Sequence, residues 1–235
     1  MIEFKNVHKR FGKLTVLDGL DLEIGNGGIF AILGPNGSGK TTLIKCLLGM
    51  VIPNKGEISI NDKSVLNKWE YRNGLNYLPQ IANFPPNLTV NELLKMVKNL
   101  RPKMANEQEL IHLFGLDSFL NKKLVNLSGG TKQKVNIVLT FMFDSELIIL
   151  DEPTTGLDPI ALIQLKEIIK AEKERGKTIL LTTHIMSVVE ELADEIVFLL
   201  DGKIYFKGSI DALKKQTEND NLEKAIANLI SKQYA

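Results

Sequence analysis

The run Gly34-Pro35-Asn36-Gly37-Ser38-Gly39-Lys40-Thr41 constrains this chain more than any other stretch. It fits the spacing G-x-x-x-x-G-K-[ST]. Its glycines admit backbone angles that a Cβ disfavours. The loop can therefore curl and aim successive N–H groups at phosphate oxygens. Gly28 to Leu33, just upstream, read as a short buried strand, and Thr41 to Leu48 read as a helix closing near Gly49. Strand, loop and helix in this order belong to an α/β core, where the helix N-terminus adds its positive dipole end to an anion site. Lys40 is expected to reach the β- and γ-phosphates of a nucleoside triphosphate, and the Thr41 hydroxyl to hold Mg²⁺. Thr42 joins the nucleotide-contacting set.

A second strand should bring carboxylates to that cation. Leu147-Ile148-Ile149-Leu150-Asp151-Glu152 has four apolar residues followed by two acids. Ligands of open α/β sheets bind at the carboxyl ends of the strands. Asp151 is the expected Mg²⁺ holder, and Glu152 the expected general base for an attacking water. Gln80 follows the short strand Tyr77-Leu78-Pro79, where its amide can reach Mg²⁺ or that water; a plain surface turn is the other reading. His184 follows Ile179 to Thr183, again at a strand end, where an imidazole can contact the γ-phosphate and orient the glutamate. His8 and His112 lie in surface stretches and are assigned no chemistry.

Core strands ending at Leu33, Pro79, Asp151 and Thr183 alternate with helices, which predicts a mostly parallel sheet. Strands at Ile2 to Val7, Leu14 to Leu17, Leu20 to Ile24 and Gly56 to Ile60 suit a small antiparallel sheet beside it. From Asn83 to Asp144 the pattern turns helical. Thr89-Val90-Asn91-Glu92 is a capping box, and Leu93, Met96, Val97 and Leu100 then share a helical face up to Pro102. Glu107 to Phe114 form another helix, stopped by Gly115. Val135, Val138, Leu139 and Met142 line a third. Ile196 to Leu200 and Lys203 to Phe206 flank Asp201-Gly202, a type I′ hairpin signal. Leu222, Ala225, Ile226, Leu229 and Ile230 recur at helical spacing in the tail, which either packs back on its own domain or offers a helix to a partner. The expected organisation is one domain over 1–235. Segments 1–82 and 145–208 form the nucleotide core, 83–144 a helical subdomain, and 209–235 the tail.

Charge and composition exclude several classes. The formal net charge of +1 leaves no broad footprint for nucleic acid. The single cysteine, Cys46, gives no disulfide framework and fits a reducing compartment. Met1-Ile2-Glu3-Phe4 reads as a strand, not a signal peptide. No run approaches about eighteen apolar residues, so contact with a membrane is expected only through a partner.

One further motif points to a family. Leu127-Ser128-Gly129-Gly130-Thr131-Lys132-Gln133 lies about twenty residues before Asp151. Ser128 is a good N-cap for the following helix. Together the phosphate loop, this motif and the paired acids resemble the ATP-binding cassette family over nearly the whole chain. Thr131 stands where the family commonly has glutamine, and Phe11 where tyrosine is commoner. The resemblance implies a P-loop NTPase core of RecA-like type, with an antiparallel β subdomain and an inserted helical subdomain carrying the signature. It implies that Phe11 stacks on adenine and that Gln80 is the Q-loop glutamine. It makes Asp151 and Glu152 the Walker B pair, His184 the switch histidine, and Asp158 the acid of a loop crossing a dimer interface. It also implies that Ser128, Gly129 and Gly130 contact the γ-phosphate held by Lys40 of a second copy, giving a homodimer with ATP at the interface.

The function implied is an ATPase subunit that powers a separate membrane permease, peripheral on the cytoplasmic face. Coupling helices of the permease would dock near Gln80 to Asn87 and the helix from Val90. The Thr154 to Pro159 run resembles small exporter systems. A likeness around Leu127 to Asn136 points to copper-processing cassettes serving nitrous-oxide reductase maturation. The alternative is a soluble ATPase of the same family that drives assembly, such as iron–sulfur cluster assembly. A non-hydrolytic nucleotide-binding module conflicts with the presence of Glu152 and His184.

Overall fold

The computed structural model describes residues 1–101 and 103–233. Pro102, the expected stop of a helix, and the last two residues of the tail lie outside the described residues. Two sheets carry the architecture. The larger has the strand order β10-β9-β3-β8-β7-β6. Its inner strands are β3 (Gly28–Leu33), β7 (Leu147–Asp151), β8 (Thr178–Thr182) and β9 (Glu195–Leu200). The edges are β6 (Leu75–Leu78) and β10 (Lys203–Gly208). All neighbours pair parallel except β10, which pairs antiparallel with β9. The turn between them has Asp201 and Gly202 both at positive φ, 46° and 74°, as a type I′ hairpin turn requires.

Alternation explains why this sheet is covered on both faces. Leu147 and Ile149 join one buried cluster, while Ile148 and Leu150 join the other. A parallel strand buried on both sides reads as a continuous apolar run. One face packs on α1 (Lys40–Leu47), through Leu43, Ile44, Cys46 and Leu47, and on the second sheet. Burial raises the Cys46 thiol to about 11, so it packs as a small apolar side chain.

The second sheet is antiparallel, in the order β2-β1-β4-β5. It comprises β1 (Ile2–Phe11), β2 (Leu14–Ile24), β4 (Lys55–Ile60) and β5 (Lys63–Ser64). The three short N-terminal strands expected from the sequence are therefore two long ones. Bulges account for the difference. Register shifts occur between Phe4 and Val7 and between Val7 and Lys9, with Asn6 and Gly19 at positive φ. An extra residue in one strand breaks the inside–outside alternation without ending the strand.

The helical insert lies between β6 and β7. It contains α2 (Val90–Leu100), α3 (Glu107–Leu113) and α4 (Gly129–Phe141). The capping box forms: Glu92 N–H donates to Thr89 Oγ1 at 3.2 Å, and Thr89 N–H donates to Glu92 Oε2 at 2.8 Å. Such a cap contributes about 1 kcal/mol. Val90, Leu93, Leu94, Ile111, Val135 and Val138 bury against the face of the sheet opposite α1. At the far end Asn76 on β6 is 2% exposed and joins three segments. Its Nδ2 donates to Phe143 O at 2.8 Å, and its Oδ1 accepts from Arg101 Nη1 at 2.7 Å and Ser145 Oγ at 3.0 Å.

After β7 come α5 (Pro159–Glu174), α6 (Met186–Leu192), α7 (Ile210–Thr217) and α8 (Leu222–Gln233). Leu222 and Ala225 of α8 bury against Phe198, Phe206 and Leu213, with Ile226, Leu229 and Ile230 beside them. Of the two readings of the tail, the structure has the one in which it packs on its own domain.

Candidate functional site

The strand ends gather the expected residues around one open cleft of about 390 Å³. Phe11, Leu14 and Val16 of the antiparallel sheet form one wall. Asn36, Gly37, Gly39, Lys40, Thr41 and Thr42 form the floor, and Gln80, Asp151 and Glu152 close the other side. Phe11 is half exposed, and Lys9 Nζ lies 4.9 Å from its ring centroid.

Lys40 opens α1, so its stem is directed into the loop that precedes it. Its Nζ donates to Gly34 O at 2.7 Å and Pro35 O at 3.1 Å. Burial lowers its pKa, while the charges of Glu152 and Asp151 pull the other way. The β9–β10 turn buttresses the same loop: Gly202 N–H donates to Ser38 O at 3.2 Å, and Asp18 N–H donates to Gly202 O at 3.1 Å.

The two acids differ in their settings. Asp151 is 2% exposed; its Oδ1 accepts from Thr182 Oγ1 at 2.6 Å, and its Oδ2 is buried without a hydrogen-bond partner. Glu152 holds a positive φ of 51°, rare for a residue with a side chain. Its N–H is gripped by Thr182 O at 3.1 Å and Thr182 Oγ1 at 2.9 Å. Its carboxylate Oε2 lies 3.0 Å from His184 Nδ1. The His184 side chain is 77% exposed, against 11% for that of Glu152, so the pair runs from a buried group to an exposed one, with Glu152 but not His184 lining the cleft. Thr182 is not legible in the sequence as part of this site. A threonine closing an apolar strand carries no local signal; its place opposite Asp151 is set by the β7–β8 register.

Ser128, Gly129, Gly130 and Asp158 do not line this cleft. They form a second cluster, at the start of α4 and of α5. Ser128 Oγ caps α4, accepting from Thr131 N–H at 3.2 Å, and lies 2.8 Å from Thr131 Oγ1. Asp158 Oδ1 caps α5 by accepting from Ala161 N–H at 2.9 Å, and its Oδ2 lies 2.7 Å from Lys134 Nζ. A Cβ on Gly130 would stand 2.6 Å from Gly156 O, so glycine is what lets these two helix starts approach. Two glycine-rich helix N-termini, one within the cleft and one apart from it, thus sit on one chain.

A phosphate loop at the carboxyl edge of a parallel sheet, with paired acids at the end of β7, two strands away from β3 across β8, defines a P-loop nucleotide hydrolase. The second N-terminus, on a helical insert between β6 and β7, narrows the class. The family model described as ABC transporter matches residues 17–155, and the chain belongs to that family as an ATP-binding subunit and ATPase. It is 35% identical over 234 residues to a lantibiotic transport ATP-binding protein, SrtF, of Streptococcus pyogenes, covering 98% of this chain and 97% of that protein. It is 36% identical over 217 residues to Nod factor export ATP-binding protein I of a Bradyrhizobium strain, covering 90% of this chain and 71% of that protein. Among solved structures, an ATP-binding subunit of an ABC transporter superposes with a TM-score of 0.91 at 32% identity, covering 98% of this chain and 99% of that one. A dimeric post-hydrolysis cassette bound to ADP and Pi superposes at 0.78 with 27% identity, covering 89% of this chain and 98% of that one. Among the described residues no helix is long and apolar enough to cross a membrane.

Proposed function

We propose that this chain is the motor subunit of an exporter. Two copies close on two nucleotides, and the closure drives a separate membrane-spanning permease from the cytoplasmic face. The observation that carries the hydrolytic part is the Glu152–His184 contact of 3.0 Å at the mouth of the cleft. A buried carboxylate held there can take a proton from water while the exposed imidazole keeps it aimed. The water oxygen then attacks the γ-phosphorus, the bond to the β-phosphate oxygen breaks, ADP leaves, and the proton passes to Glu152. Lys40 exchanges its two carbonyl contacts for the β- and γ-phosphates. Phe11 stacks on the adenine, and Gly34 to Thr42 wrap the phosphates.

The site suits Mg²⁺ as well. The Thr41 hydroxyl and the unpartnered Asp151 Oδ2 belong to one cleft with Gln80, and such oxygens are what the cation takes. A cation held there with nucleotide would neutralise charge on the phosphates. Ser128 to Gly130, lying outside their own chain's cleft, serve the nucleotide of the second copy. Asp158 sits beside them in the same interface. Residues 83–144 act as the moving subdomain, with 1–82 and 145–208 as the nucleotide core.

Export is supported by the relatives named for lantibiotic transport and Nod factor export. A copper-processing cargo rests on a general likeness, notably around Leu127 to Asn136. The test is Glu152→Gln. It should retain ATP, slow turnover by about 10²–10⁴-fold and accumulate an ATP-bound dimer in sedimentation. Normal turnover with only monomer refutes both roles. Co-purification with a membrane permease tests the partner, and a chain that stays with soluble assembly factors refutes it.

A further inference from the structure

Gln133 and Asn136 are buried on α4, at 5% and 4% exposure. Three residues apart, they share one helical face. A buried amide is costly unless hydrogen-bonded, and an apolar pair would fill this face without that demand. Both amides reach across to main-chain carbonyls. Gln133 Nε2 donates to Pro153 O at 2.9 Å, and Asn136 Nδ2 donates to Pro79 O at 3.1 Å. The two side chains also touch, Asn136 Nδ2 lying 3.5 Å from Gln133 Oε1. Pro153 directly follows Glu152, and Pro79 directly precedes Gln80. Each proline lacks an N–H, so the carbonyl that is gripped is its one backbone hydrogen-bonding group.

We infer that Gln133 and Asn136 are positioning residues for hydrolysis: from one turn of α4 they hold, through the Pro153 and Pro79 carbonyls, the segments that carry Glu152 and Gln80. The inference rests on the roles proposed above for those two residues. Its consequence reaches further than one site. The helix that supplies the two amides begins at Ser128-Gly129-Gly130. In the closed dimer those residues engage the other copy's nucleotide. Engagement at that site then fixes the position of Gln80 and Glu152 at this chain's own site.

The experiment is a double-mutant cycle on Mg-ATP turnover by the full chain, with Asn136→Leu, Gln80→Ala and both together, and Gln133→Leu as a companion. Asn136→Leu removes the donor at similar volume. It should lower kcat about five- to tenfold and leave KM within about twofold, because the nucleotide contacts of Lys40 and Phe11 are untouched. The double variant should turn over no more slowly than Gln80→Ala alone, since Asn136 acts through Gln80. If Asn136→Leu melts well below the parent, Asn136→Ala replaces it in the same cycle. A wild-type kcat for Asn136→Leu beside a slow Gln80→Ala overturns the inference alone. Losses that simply multiply in the double variant overturn it too, because a merely structural amide would give that result. A normal rate for Gln80→Ala removes the role of Gln80 itself, and the inference falls with it.

Discussion

Thr182→Val isolates the hydroxyl that ties the two acids together. Valine keeps the β-branched shape that suits a buried strand. The perturbation is then chemical rather than steric. Thr182 Oγ1 donates to Asp151 Oδ1 at 2.6 Å and accepts from Glu152 N–H at 2.9 Å. The second contact has a substitute, because Thr182 O accepts from the same N–H at 3.1 Å. The first has none. Asp151 Oδ2 already lacks a partner, so the variant leaves a carboxylate at 2% exposure with neither oxygen bonded to the protein. A hydrogen bond to a charged group contributes about 1.5–3 kcal/mol. For a chain of this size each kcal/mol moves the melting temperature by about 2–4 °C. The nucleotide-free variant should therefore melt roughly 3–12 °C below the parent. Added Mg²⁺ and nucleotide give Asp151 a cation partner, so the gap should narrow in their presence. Scanning calorimetry with and without Mg-nucleotide reads both effects. Equal melting temperatures without nucleotide would refute the reasoning, because Asp151 would then not depend on Thr182.

Lys40 binds phosphates in its charged form, and burial holds its pKa below the usual lysine range. Nucleotide affinity should be flat below that pKa and fall as pH rises through it. Titrations across the alkaline range check the sign, and a flat profile contradicts it. Ser128→Arg and Lys40→Ala should each disable a homodimer. Mixing them should restore some turnover, because one composite site then carries both lesions and the other carries neither. Mixed dimers without recovery mean that the signature does not act across the interface or that turnover needs both sites intact. Counting nucleotide in a crosslinked mixed dimer separates the two. Gly202→Ala places a Cβ 2.5 Å from Val16 O at a φ of 74°. It should cost about 1–3 kcal/mol and weaken nucleotide binding by displacing the turn from Ser38, as calorimetry and titration would report.

The legible parts of this molecule are those whose signals are short in sequence. The phosphate loop, Asp151-Glu152, the Thr89–Glu92 capping box and the Asp201-Gly202 turn each declare themselves within a few residues, and each forms as expected. Thr182, Gln133, Asn136 and Asn76 do not. Their partners lie 31, 20, 57 and 67 residues away in the bonds quoted above. No periodicity or spacing rule spans such separations; only strand register and helix docking bring them together. The N-terminal strands show the converse limit. Alternation located them, but bulges near Asn6 and Gly19 hid their continuity. Asp158 shows a third case. Its N-cap is a local feature readable from Asp158-Pro159, whereas its ion pair with Lys134 depends on how two helices meet.

The chain leaves β6 after Leu78, at the end of the sheet that holds the nucleotide cleft, and returns to β7 at Leu147, at the opposite end. Those two attachments flank a strand of four residues, on the order of 13 Å long. That strand is an edge, hydrogen-bonded to a neighbour on one side only. The helical insert is tied to that edge at both ends, through Asn76 at one and through the Pro79 segment at the other. The insert thus meets the sheet at its β6 edge, with a buried amide bridging the two at each end of that edge.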